Sequence, residues 1–73
     1  MNTQNKFYMV KNVTAGGQPT KTHNFIDTAR EEAKRLAEKH PGNIIVILET
    51  IEAYSTKLPE VIKLEIETIQ TIV

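Results

Sequence analysis

The stretch Asp27–Gly42, DTAREEAKRLAEKHPG, decides the fold. Ala29, Ala33, Leu36, Ala37 and His40 recur at the spacing that lines one face of a 3.6-residue helix. Asp27 or Thr28 can accept a hydrogen bond from an orphan amide and cap its start. Thr28 with Glu31 three residues on matches a capping box. Pro41 biases His40 away from helical geometry, and Gly42 can take the left-handed turn that closes the end. Glu31 and Arg35 form an i,i+4 pair in the favourable order, worth roughly 0.2–0.5 kcal/mol. The stripe is mostly alanine. Such a helix approaches a sheet closely but supplies little apolar bulk, so the bulk must come from strands.

Working outward, strand signals lie on both sides. Met1–Asn5 is polar and is expected to fray or stay disordered. Phe7–Val13, FYMVKNV, reads as a first strand, rich in aromatic and β-branched residues. Thr14–Pro19 carries two glycines and a proline and reads as a turn. Thr20–Ile26 reads as a short edge strand returning from that hairpin, with Phe25 and Ile26 tying the helix start to the core. After the helix, Ile44–Ser55 is the strongest strand signal. Its five consecutive aliphatics, Ile44–Leu48, predict a central strand covered on both sides. From Glu49 onward the strand is expected to leave the core or cross to a second partner.

Lys57–Glu60 reads as a turn. In Val61–Val73 helical spacing competes with a period of two, Ile62, Leu64 and Ile66 alternating with Lys63, Glu65 and Glu67. Eight of these thirteen residues are Val, Ile or Thr, which decides for strand. An apolar end strand would recruit other chains if left at an edge, so it pairs either with the long strand inside the monomer or across a dimer. The expected architecture is an α+β domain, β-β-α-β-β, with an antiparallel sheet and one helix packed on one face.

At 73 residues the chain makes a single domain, 1–73, with a thin margin of stability. There is no cysteine to reinforce it, so oligomerisation is the remaining common route to more buried apolar surface. Lack of cysteine fits a reducing, cytoplasmic compartment. No leader-like opening and no apolar run long enough to span a bilayer is present, so no membrane partner is expected. Net charge is zero, but residues 1–42 carry seven Lys or Arg against four acids, whereas residues 43–73 carry two Lys against five Glu. Overall neutrality argues against direct nucleic-acid binding, which needs a strongly basic face.

Catalytic chemistry is sparse. His23 lies in a polar segment, and His40 at the helix end suits the negative end of the dipole. Neither has metal-ligand spacing around it, and no cofactor motif is present. Gly16-Gly17 is a turn pair, not a phosphate-binding loop. Glu31 and Glu32 suit the first helical turns, while Glu49, Glu52, Glu65 and Glu67 are expected on solvated strand faces. The chain therefore reads as a non-enzyme with no cofactor. The feature that points to function is the cationic helix surface, with Arg30, Lys34, Arg35 and Lys39 outward, fit to give register to a protein contact.

Three segments carry a resemblance: Tyr8–Val13 (YMVKNV), Ala33–Lys39 (AKRLAEK) and Leu48–Ile51 (LETI). Together they resemble small phage-encoded anti-CRISPR proteins directed against the type I-F surveillance complex. The likeness covers roughly residues 7–55 and follows the same order of strand, long turn, helix and strand. It implies a non-enzymatic inhibitor, acting inside the host cell, that binds the repeated backbone subunits and blocks access of DNA. By position, the helix contact falls to Lys34 and Lys39, with Arg35 a weaker match, and Arg30 and Lys11 complete the candidate binding set. Val61–Val73 departs from the pattern, being acidic and aliphatic where the family is basic and aromatic. The alternative is a small interaction module that homodimerises through its last strand.

Overall fold

A computed structural model describes residues 3–19, 21–57 and 60–69. The chain folds as an α+β domain in the order β1 (Thr3–Asn5), β2 (Tyr8–Asn12), α1 (Ile26–Lys39), β3 (Ile45–Glu49), β4 (Ala53–Lys57) and β5 (Glu60–Glu67). Two long chain paths organise it. One climbs through β1 into β2, and the other descends through β3 into β4. In the upper half they pair directly, antiparallel, from Tyr8↔Glu49 to Asn12↔Ile45. Below, they part, and β5 fills the gap, parallel to β1 (Thr3↔Glu65) and antiparallel to β4 (Ala53↔Leu64).

The fork is pinned at its apex. Thr50 N–H donates to the Phe7 carbonyl, while Thr50 Oγ1 accepts from Phe7 N–H at 3.1 Å and donates back to its carbonyl at 3.0 Å. One residue lower, Lys6 N–H donates to the Glu67 carbonyl, and Lys6 Nζ reaches Glu49 Oε1 at 2.7 Å. That pair raises the lysine's pKa above its ordinary value.

Helix α1 packs on β2 and β3. It starts at the lower end of β2, where His23 and Tyr8 exchange backbone hydrogen bonds of 2.7 Å, and runs upward. Ala29, on the face turned to the strands, has no exposed surface. An alanine at that point permits the contact that a larger side chain would prevent. Tyr8, nearly buried, shares its sheet face with Val10, Ile45 and Ile47, and this is the covered face. Gly42, at φ +88°, closes the helix as its left-handed preference predicts. The last strand is a strand, not a helix, and it pairs inside the monomer as one of the two expected arrangements had it.

Several expectations are corrected. Thr3–Asn5 does not fray: it is a strand, because β5 offers its open backbone edge whatever the side chains opposite. The pairing is consequently mixed rather than purely antiparallel. The segment expected as an edge strand over Thr20–Ile26 contributes only the isolated His23 bridge among its described residues, and Ile26 already belongs to the helix. The single strand over Ile44–Ser55 is two, β3 and β4, changing partners as expected after Glu49. Strand β3 is covered on one face only, with Ile44 and Leu48 exposed. Leu58 and Pro59 of the expected Lys57–Glu60 turn, and Gln70–Val73 of the last segment, lie outside the described residues.

The helix differs in detail as well. It begins at Ile26 with Phe25 at the cap position and no side-chain cap bond. Asp27 and Thr28 therefore sit within the first turn, and Thr28 Oγ1 donates to the Phe25 carbonyl instead of accepting from Glu31. Arg35 pairs with Glu32, not Glu31. Ala37 and His40 are exposed, while Ile26, Ala33 and Leu36 are half-buried beside Ala29. Ala37 lies about 80° around the helix from Ala29, at the margin of the stripe. His40 has left the helical spiral, its φ being −125°.

Candidate interaction surfaces

The five candidate cations do not form one patch. Arg30 and Lys34 are four residues apart and share one flank of α1; Arg35 and Lys39 share the other. Glu31 and Glu38 run along the crest between them. Both arginines are engaged. Arg30 Nη1 lies 3.4 Å from Asp27 Oδ1, and Arg35 grips Glu32 through two bonds of 2.8 Å. The guanidinium holds the Glu32 carboxyl below the ordinary glutamate range, and the carboxylate in turn raises Arg35. Lys34 and Lys39 make no ion pair among the described residues and are exposed. Lys11 sits on β2 opposite Val46, on the sheet face away from Tyr8 and the helix. Like Lys34 and Lys39, Lys11 makes no ion pair among the described residues, and it lines the groove between β2 and α1 together with Glu32 and Leu36.

Glu32, which Arg35 grips, borders a feature that the sequence pattern did not suggest. A groove of about 230 Å³ runs between β2 and α1, bounded by Asn12, Pro19, Lys21, His23, Glu32 and Leu36. The loop beyond β2 forms its wall. Asn12 organises that loop, its carbonyl accepting from Gly16 N–H and its Oδ1 from Ala15 N–H, and Gly16 adopts φ +79°. His23 is nearly buried, with Nδ1 3.2 Å from Thr28 Oγ1. Because the Thr28 hydroxyl spends its one proton on the Phe25 carbonyl, the ring must donate from Nδ1. His23 thus joins the chain before the helix to its first turn. Its role is to hold the helix start against Tyr8, and the only sequence signal for it is the helix-start position itself.

The second surface belongs to the lower sheet. Register places Gln4, Ala53, Ser55, Ile62, Leu64 and Ile66 on one face, with Glu60 opposite Lys57 at its far end. The other carries Glu52, Tyr54, Lys63, Glu65 and Glu67. Glu52 accepts from the Tyr54 hydroxyl and lies 3.6 Å from Lys63 Nζ, which holds its carboxyl below the usual range and raises Tyr54. One face is therefore apolar and the other charged, the alternation of a sheet that covers a core on one side. Yet the helix packs on β2 and β3, above this region. A depression of about 500 Å³, lined by Ile51, Leu64 and Ile66 together with Lys63 and Glu65, opens here, and Ile51 is 81% exposed.

Among the described residues no helix is long and apolar enough to cross a membrane, and no three His, Cys, Asp or Glu are grouped to hold a metal ion. No known protein family, curated protein or solved structure matches the chain.

Proposed function

We propose that this protein acts by binding another macromolecule through its surface, without catalysis. The narrower form of the proposal is a phage or prophage protein that inhibits a host defence complex in the cytoplasm, in the manner of anti-CRISPR proteins that block access of DNA. The observation that carries it is the pair of unengaged lysines, Lys34 and Lys39, on opposite flanks of the exposed helix. Two such charges on a rigid rod can orient an encounter with an acidic groove, whereas they are too few to hold a nucleic acid alone. Retention on an immobilised type I-F surveillance complex tests this directly. Wild type is expected to be retained, and the double variant Lys34→Glu/Lys39→Glu to bind at least about tenfold more weakly with unchanged circular dichroism. Failure of the wild type to bind, or equal binding by both, overturns the reading.

A second reading, a homodimeric interaction module, is favoured by a separate observation: among the described residues nothing packs over the apolar face centred on β5. The two readings are compatible, since the lysines and the sheet face occupy different halves of the molecule.

A further inference from the structure

We infer that the chain dimerises by stacking the apolar faces of two lower sheets, Ile62, Leu64, Ile66, Ala53 and Ile51 of one copy against the same residues of another. This rests on the homodimer reading above and specifies the surface it uses.

The first argument is area. The chain exposes 5882 Å². A folded monomer of 8.3 kDa is expected to expose about 4,600 Å². The excess of roughly 1,300 Å² is surface that the single chain leaves open, and the lower-sheet face is one part of it. Shape agrees: the radius of gyration is 15.1 Å, against about 11 Å for a compact domain of this length. Burial agrees too, for among the described residues no large side chain is fully buried in the single chain.

The second argument is charge, and it selects both the face and the occupant. Gln4 and Ser55 are the uncharged polar residues that register adds to the apolar face, and at its far end it sets one acid opposite one base, Glu60 and Lys57, so that the face carries no net charge. A twofold interface is isologous, so each residue meets the same patch on its partner. A patch that is apolar over Ala53, Ile62, Leu64 and Ile66 and has no net charge can meet itself without net repulsion. The opposite face cannot: stacking two copies there would bring Glu52, Glu65 and Glu67 against their own counterparts, with Lys63 alone to offset them. Two three-stranded layers stacked about 10 Å apart form a small sandwich. Strand β5 is about 26 Å long and three strands span about 14 Å, which is a small contact. Association is therefore expected in the micromolar range.

Sedimentation velocity on the full chain, from micromolar to near-millimolar concentration, tests the inference with two variants. Ile51→Lys charges the apolar face at a residue outside the strands, so the fold survives it. Val61→Lys, at a position 69% exposed on the other face, is the control. Wild type and Val61→Lys are expected to dimerise with constants within about twofold, and Ile51→Lys at least about tenfold more weakly. Circular dichroism identifies any variant that has unfolded, for which Leu64→Thr substitutes. A wild type that stays monomeric throughout overturns the dimer reading and this inference together. A wild-type dimer weakened by Val61→Lys but not by Ile51→Lys or Leu64→Thr overturns the face assignment and leaves the dimer standing.

Discussion

The upper and lower halves of the molecule use the same two chain paths in opposite ways. Above the fork, β2 and β3 pair with each other and the helix seals one face, so that Tyr8 and Ala29 are buried. Below it, β1 and β4 pair through β5, and the equivalent apolar face has no helix over it. One helix of fourteen residues is about 21 Å long and cannot cover both. The comparison teaches that alternating polarity in a strand states that a face will be covered but not by what. In the upper half the cover is the chain itself; in the lower half we assign it to a second copy.

The sharpest way to break that contrast is to spoil the seal in the upper half. Ala29→Leu forces extra volume between helix and strands, at a cost of about 1–3 kcal/mol. For a domain of this size each kcal/mol lowers Tm by roughly 4–8 °C. Thermal denaturation should therefore show a loss of many degrees. An unchanged Tm would mean that helix and strands are less closely packed than Ala29 indicates. Thr50→Val acts at the fork between the halves. It deletes a hydroxyl that serves both backbone groups of Phe7, and about 1–2 kcal/mol of stability should go with it.

The effect expected next in size belongs to the lower half. If a second copy covers it, the wild-type Tm should rise by a few degrees for each tenfold increase in protein concentration, and that slope should vanish in Ile51→Lys. The smallest effect concerns the rim of the upper groove. Glu32→Gln removes an exposed pair and should cost no more than about 1 kcal/mol. Glu32 has its folded-state pKa lowered, so its contribution is complete above the ordinary glutamate value of 4.5 and fades as pH falls through the depressed value. Wild type and Glu32→Gln should therefore converge in Tm under strongly acidic conditions and differ at neutral pH.

The elements whose side chains carry the pattern were legible in the sequence. The helix stands within three residues of its expected bounds, and the Val, Ile and Thr content of the last segment correctly decided for strand over the competing helical spacing. What escaped was carried by the backbone. Thr3–Asn5 has no apolar signal, and joins the sheet because β5 presents an unfilled row of amides and carbonyls. His23 is held by main-chain bonds to Tyr8, in a segment whose expected strand is otherwise absent from the described residues. The partition of cations on α1 followed from geometry that was available, since residues 34 and 35 lie about 100° apart around a helix. Their engagement was not available, because the choice of Arg35 between Glu31 and Glu32 depends on how the helix is turned against the sheet. Lys11 could be assigned to a face only once the pairing Lys11↔Val46 was known.

The most direct test of the two-halves account is an isotope-filtered NOE experiment on a mixture of labelled and unlabelled chains. Contacts between copies are predicted among the methyl groups of Ile51, Ile62, Leu64 and Ile66, with none from Val61 or from the helix surface around Lys34 and Lys39. Intermolecular contacts confined to the charged face or to the helix, or none at concentrations where the protein sediments as a dimer, would contradict it.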